Sequence, residues 1–328
     1  MSIRINKSGL LDTLQDGGRY GYQHLGVNPG GAIDAIAMHI ANALVGNQPN
    51  ETVLEMHFPA AEILFEETLL IALAGADFSA TINGKELPLL HPVLISKGSL
   101  LVFGKRLDGA RVYLSVQGGF IADKWLHSTS TNTKVKAGGF EGRALQKNDR
   151  LLVNNPGALS FVFTDHVFEV FPWKAKTAEL YTTHIIRFIA GAEFGNLQQQ
   201  SSAAMETQTY TISRDSDRMG YRLQAEPFTT VSNQEMISTA VTRGTIQLLP
   251  NGQLIILMAD HQTTGGYPRM GHVITADLPT LAQMQAGETF QLLQISLEQA
   301  EALFFEQEMY LQQLQNACNF RLQEYLNA

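Results

Sequence analysis

The 328-residue chain carries 23 Lys and Arg against 31 Asp and Glu, a formal net charge of -8, and 45% of its residues are hydrophobic while only 16% are charged. That balance excludes a disordered chain and leaves no basic stripe to neutralise a phosphate backbone, so nucleic acid is not expected as a partner. At about 150 residues per domain the length predicts roughly two domains, and the single cysteine, Cys318, excludes an intramolecular disulfide or a thiolate-built zinc cluster, so no metal is expected.

The opening MSIRINKSGLLDTLQ has no apolar core of signal-peptide length, and the longest apolar run, LLIALAGA at 69 to 76, is far short of the about 20 residues that a membrane span needs. No membrane association and a cytoplasmic location are therefore expected. The glycine-rich stretch 12 to 35, DTLQDGGRYGYQHLGVNPGGAIDA, precedes a helix but has neither phosphate-loop nor dinucleotide spacing. In that first helix Ile33, Ile36, Ala37, Ile40, Ala41 and Leu44 make one apolar face, and Gly46 stands where a left-handed cap belongs.

From there the chain reads as short strands with turn punctuation, and the predicted class is mainly β with a few helices. Leu69 to Gly75 is a buried strand, Asn83-Gly84 a hairpin turn, and Val112, Leu114 and Val116 alternate along the next strand. VQGGF at 116 to 120 and HSTSTNTKVKAGGFEGR at 127 to 143 set glycine pairs beside hydroxyls, which suits hairpin ends as well as a site. Turn residues in NNPGALS put a boundary between 155 and 165, giving lobes 1–158 and 159–295 and a C-terminal helix 296–328. Further strands are predicted over 167–171, 185–189, 209–213 and 245–249. Pro250-Asn251-Gly252 then turns the chain into QLIILMA.

The last helix runs from Leu297 to Tyr325. Ser296 and Gln299 are spaced as a capping box, and Leu297, Phe304, Leu311, Leu314, Cys318, Leu322 and Tyr325 form its stripe. Such a helix serves either as a docking arm or as the cover of a sheet edge in its own domain. A short element also occurs twice, DGGRYGY at 16 to 22 and DSDRMGY at 215 to 221, both D-x-x-R-x-G-Y.

The densest polar segment in an apolar neighbourhood is ADHQTTGGYPR, 259 to 269. It brings Asp260, His261, Gln262, Thr263 and Thr264 to the end of a strand, Gly265 and Gly266 admit close backbone approach to an anion, and Tyr267 and Arg269 stand ready to clamp one. The same residues also suit a tight turn whose side chains satisfy one another. SRDSDRMGYRLQ, 213 to 224, packs Arg214, Asp215, Asp217, Arg218 and Arg222 together, either as a solvated turn of weak ion pairs or as a carboxylate-binding wall. No nucleophile elbow, zinc-protease helix or phosphate loop occurs. An enzyme built on this chain is expected to work with another subunit.

These segments, in this order, closely resemble the KipA-like family, also called allophanate hydrolase subunit 2 or the biotin-dependent carboxyltransferase domain family. The resemblance rests on residues 13–47, LAGADF at 73 to 78, YLSVQGGF at 113 to 120, STSTNTKVKAGGFEGRALQKND at 128 to 149, SDRMGYRL at 216 to 223, the run 244–278 containing DHQTTGGYPR, and AQMQAGE at 282 to 288. It covers about residues 3 to 295 and leaves the last helix outside any family motif.

What the resemblance implies is two related cyclophilin-like β-barrel lobes, to which the long C-terminal helix is added. It implies membership of a multi-subunit, ATP-dependent 5-oxoprolinase that opens 5-oxo-L-proline to L-glutamate, with a KipI-like subunit and a third 5-oxoprolinase subunit as partners. ATP is then used by the complex, and no cofactor is assigned to this chain. Two alternatives stay open: the carboxyltransferase subunit of a biotin-dependent urea carboxylase, which would use biotin, and a non-enzymatic KipI-binding regulator of a sensor kinase pathway. The implied pocket takes Asp260, His261, Gln262, Thr263, Thr264, Gly265, Gly266, Tyr267 and Arg269 as one wall and Asp217, Arg218 and Tyr221 as the other. Within it His261 is the expected acid/base, oriented by Asp260 if the chain bends to bring them together, and Arg218 or Arg269 is the expected holder of the substrate carboxylate or a phosphorylated intermediate. The chain departs from the family at Thr239-Ala240, where relatives often carry an acid.

Overall fold

The computed structural model describes residues 1–154, 167–181, 184–231 and 236–327, and the chain divides into two units. The first takes Met1–Arg19, Asp34–Lys176 and Met309–Ala328, the second Tyr20–Ile33 and Thr177–Glu308. The units are thus interleaved along the chain rather than contiguous: the glycine-rich segment 20–33 belongs with the second, and the last helix is divided between them. The boundary expected at 155–165 lies outside the described residues.

In the first unit two six-stranded sheets enclose one core. One runs Arg150–Leu152, Ser2–Lys7, Glu62–Phe65, Leu100–Phe103, Ala80–Ile82, Lys85–Glu86. The other runs Phe168–Val170, Pro92–Ile95, Leu69–Asp77, Asp108–Val116, Val53–His57, Asp12–Gln15. The period of two decides which side chains meet: Val112, Leu114 and Val116 enter the core with Leu54, Met56, Ile71 and Leu73. Tyr113 and Ser115 take the other face, where Ser115 donates to Asn42 of helix α1 (Ala35–Leu44) at 2.6 Å. Asn83-Gly84 makes the expected turn, both residues at positive φ as that turn requires.

Helix α1 begins on Asp34, whose carboxylate accepts from the Ala37 N–H at 2.9 Å, and it stops at Gly46, φ 75°. Ile33, expected on its apolar face, precedes the cap and packs instead in the core of the second unit.

In the second unit a seven-stranded barrel closes in the order Ile185–Ala190, Arg269–Val273, Thr245–Leu248, Leu254–Leu257, Gly220–Gln224, Tyr210–Ile212, Thr289–Gln294. The seam between the first and last of these is a parallel pairing. Closure leaves no barrel edge to protect. Ile246, Leu248, Leu254, Ile256, Tyr221 and Leu223 fill the interior, so Gln247, Ile255, Leu257, Gly220 and Arg222 face outward by alternation. A two-stranded ribbon, Thr239–Ala240 with Thr264–Gly265, lies outside the barrel.

Among the described residues three further α-helices follow α1: α2 (Gln199–Thr207), α3 (Leu278–Gln283) and α4 (Leu297–Asn327). Helix α4 opens on the expected capping box: the Ser296 N–H donates to Gln299 at 3.0 Å and the Gln299 N–H to Ser296 at 3.3 Å. Of its predicted stripe Leu311, Cys318 and Leu322 are buried, whereas Leu297 is exposed. Tyr325 packs at a tilt against Phe171 and donates to Glu169 on the edge strand Phe168–Val170 at 2.6 Å, so the end of the helix covers a sheet edge in the first unit. Among the described residues no helix is long and apolar enough to cross a membrane.

Candidate functional site

The two loops singled out in the sequence are neighbours in the second unit. The Met258 N–H donates to the Met219 carbonyl at 2.9 Å and the Asp260 N–H to the Arg218 carbonyl at 2.8 Å, so the turn 215–220 and the loop after Leu257 are stitched by backbone. Their side chains repeat the link. Arg218 forks Asp260, Nε to Oδ2 at 2.8 Å and Nη2 to Oδ1 at 3.2 Å, and also donates to the Gly31 carbonyl at 2.8 Å. The guanidinium therefore ties three segments of the unit together.

Below these loops, on the outer face of the barrel, lies a cleft of about 460 Å³. Outward-facing Gln247, Ile255, Leu257 and Arg222 line it from the strands, Asp215 and Asp217 from the first loop, and Gln262 and Tyr267 from the second. Asp217 also caps its own turn, accepting from the Met219 N–H at 2.7 Å. Tyr267 is 43% exposed at the rim, and Gln247 is fully buried.

Of the nominated residues, Asp217, Gln262 and Tyr267 line this cleft, and the others have different surroundings. Arg218 and Asp260 hold each other. Tyr221 points into the barrel core and donates to the Met284 carbonyl at 3.4 Å. Arg269 is taken bidentately by Glu193, at 2.9 and 2.8 Å, a carboxylate already in place where a substrate carboxylate was expected. Thr264 and Gly265 pair with Ala240 and Thr239, and the Thr263 carbonyl accepts from the Val241 N–H at 3.1 Å.

Gly265 and Gly266 take no positive φ and form no left-handed anion nest. Gly265 is needed for packing instead: a Cβ there would stand 2.5 Å from Gln247 Nε2.

His261 is 2% exposed, and its Nδ1 meets the Gln262 carbonyl at 2.5 Å. Burial pushes its pKa below the ordinary histidine value, against the pull of that hydrogen bond; nearby Arg243 pushes it further down and Asp260 opposes. The ring is neutral at pH 7, and Asp260, engaged by Arg218, does not orient it. His261 thereby holds the backbone of Gln262, which faces the cleft. His272 is likewise lowered by burial and by His261.

Sequence reasoning passed over Gln247. Its signal is the alternation in TIQLL: a polar residue between two core-facing apolar ones must stand on the opposite face of its strand. Among the described residues no group of three or more His, Cys, Asp or Glu side chains is placed to hold a metal ion.

Residues 25–294 match the carboxyltransferase domain, subdomain A and B. The chain is 33% identical to a 5-oxoprolinase subunit of Haemophilus influenzae over 92% of its own length and 94% of the relative. It is 34% identical to the corresponding 5-oxoprolinase subunit of Escherichia coli, covering 95% of this chain and 97% of that one. The urea carboxylase of Kluyveromyces lactis superposes on 95% of the chain with a TM-score of 0.87 and 25% identity, and this chain spans only 29% of that longer protein.

Proposed function

Because the chain belongs to the carboxyltransferase domain family, we propose that it is one component of an ATP-dependent 5-oxoprolinase, acting with a KipI-like subunit and a third subunit to hydrolyse the lactam of 5-oxo-L-proline to L-glutamate. The observation that carries this is the near full-length similarity, in both directions, to two bacterial 5-oxoprolinase subunits.

The cleft beneath the 215–220 and 258–269 loops is the substrate site in this reading. Its lining offers two carboxylates against one guanidinium, a poor match for a triphosphate, and ATP is accordingly assigned to another subunit. Arg218 and Asp260 brace the two loops, His261 positions Gln262, and Asp217 and Tyr267 stand where substrate passes. The complex then works in the cytoplasm, and no resident cofactor is assigned to this chain.

The test is 5-oxoproline-dependent ATP hydrolysis and glutamate formation, with this chain added to or omitted from its two partner subunits. Turnover that requires the chain and falls with Arg218→Ala or His261→Ala supports the reading. Turnover without the chain sinks it. The similarity to a urea carboxylase favours a second reading, carboxyl transfer from carboxybiotin; it is the one retained if urea- and biotin-dependent activity appears instead. Binding to a KipI-like protein with no turnover of either kind would leave the regulator.

A further inference from the structure

Gln247 presents a buried, unpaired acceptor at the cleft. The residue is fully buried, its Nε2 is directed at the Tyr267 carbonyl at 3.4 Å, and its Oε1 has no hydrogen-bond partner among the described residues although it belongs to a side chain that lines the cleft. A buried amide oxygen left unpaired forfeits its hydrogen bond to water without replacement. Gly265 leaves room for this placement, since a Cβ there would stand 2.5 Å from Nε2. The oxygen is therefore held ready for a donor that the barrel itself does not provide.

The two copies of the repeated D-x-x-R-x-G-Y element differ in what surrounds their first acid. In the first copy Asp16 is saturated, accepting from Ser128 Oγ and Ser130 Oγ at 2.6 Å each and from the Thr129 N–H at 2.7 Å. In the second copy the residue at the same place, Asp215, stands exposed in the cleft wall. The cleft thus gathers acceptors, Gln247, Asp215 and Asp217, around an apolar floor of Leu249, Ile255 and Leu257. It carries one cation, Arg222, exposed at the rim and in no ion pair among the described residues.

We propose that Gln247 Oε1 is the specificity-determining acceptor for the ring N–H of a cyclic amide that bears one carboxylate, the carboxylate lying on the Arg222 side and away from Asp215 and Asp217. This rests on the 5-oxoprolinase reading for the choice of ligand, since a lactam supplies the N–H and its acid group the anion. A cyclic urea offers the same donor, so the test separates the two. Discrimination comes from the unpaired acceptor: a ligand without the N–H leaves Gln247 as it is and gains nothing from entering.

The experiment is titration of the full-length chain with 5-oxoproline, N-methyl-5-oxoproline and free biotin, read from the side-chain amide signals of Gln247 and Gln262 by NMR. 5-Oxoproline is expected to shift the Gln247 amide and to bind roughly tenfold to a hundredfold more tightly than its N-methyl analogue. Gln247→Leu is expected to abolish that preference, and Arg222→Ala to weaken both ligands alike. Equal affinity for the two lactams in the wild-type chain overturns the proposal, as does a preference for biotin, shifts confined to other residues, or no shift of Gln247 up to the solubility limit. The wild-type comparison needs no variant to fold. Because it reads binding to this chain, it is separate from the reconstitution: turnover that requires the chain while Gln247 stays silent overturns this inference alone.

Discussion

Arg218 and Asp260 lie 42 positions apart in sequence and are joined by two hydrogen bonds of 2.8 and 3.2 Å, with side chains only 11% and 19% exposed. Breaking such a pair leaves one charge poorly solvated, whereas replacing both partners together costs less. Arg218→Ala and Asp260→Ala are each expected to lower the unfolding free energy by roughly 2–4 kcal/mol, discounted for partial exposure, with the double variant short of the sum by more than about 1 kcal/mol. Urea unfolding of the four proteins measures this. Strict additivity would mean that the loops are held by their backbone bonds alone.

Gly46 is expected to resist replacement for two reasons that can be separated. Its φ of 75° disfavours any side chain, and a Cβ would approach Leu322 Cδ1 on α4 to 2.9 Å. Gly46→Ala should cost about 1–2 kcal/mol for the backbone conformation plus the displacement of Leu322. In a Leu322→Ala background only the backbone part should remain. A full-sized penalty there would show that the contact with α4 contributes nothing.

Acid should destabilise the protein through the imidazoles of buried His261 and half-buried His39 and His272. Burial lowers the pKa of His39, His261 and His272 below the ordinary value of 6.5. The unfolded chain therefore binds more protons than the folded one, so stability is complete above about pH 6.5 and is lost as pH falls toward the folded values. Between about pH 7.5 and pH 5 the wild-type urea midpoint is expected to fall relative to that of His261→Asn, which lacks one of these imidazoles. An unchanged slope in that variant would count against the buried, neutral ring.

Asp12 should act in the opposite sense. Burial raises its pKa from 3.8 to about 7, overcoming the backbone N–H groups of Gly9 and Ala61, and its Oδ1 has no partner among the described residues. The folded state holds the proton more tightly, so that contribution is full below pH 3.8 and is lost as pH rises through about 7. Relative to wild type, Asp12→Asn is expected to gain stability steadily from about pH 4.5 to pH 7. A difference independent of pH would show that the carboxyl is ionised throughout.

Local pattern was enough for the elements. Alternation marked Val112 to Val116 and Thr245 to Leu248, Asn83-Gly84 marked its hairpin, and Ser296 with Gln299 marked the start of α4, because each depends only on residues a few positions apart. The same locality explains Ile33. Helical spacing extends the apolar face back to it, and only the Asp34 cap and the second unit's core show that it belongs elsewhere. Motif content likewise brought attention to the 215–222 and 259–269 segments without telling which of their side chains face solvent, core or cleft.

The sequence alone therefore determined the mainly β class, the duplicated element, the two polar loops and the family resemblance, since composition, period and motif are properties of neighbouring residues. Tertiary structure decided what those residues do. It gave Arg269 to Glu193, Arg218 to Asp260 and Tyr221 to the barrel core, and it left Gln247, inconspicuous in TIQLL, with an unpaired oxygen at a cleft. Partners distant in the chain compete for each polar group, and which of them wins is settled by the closure of the barrel, whose register no local pattern contains.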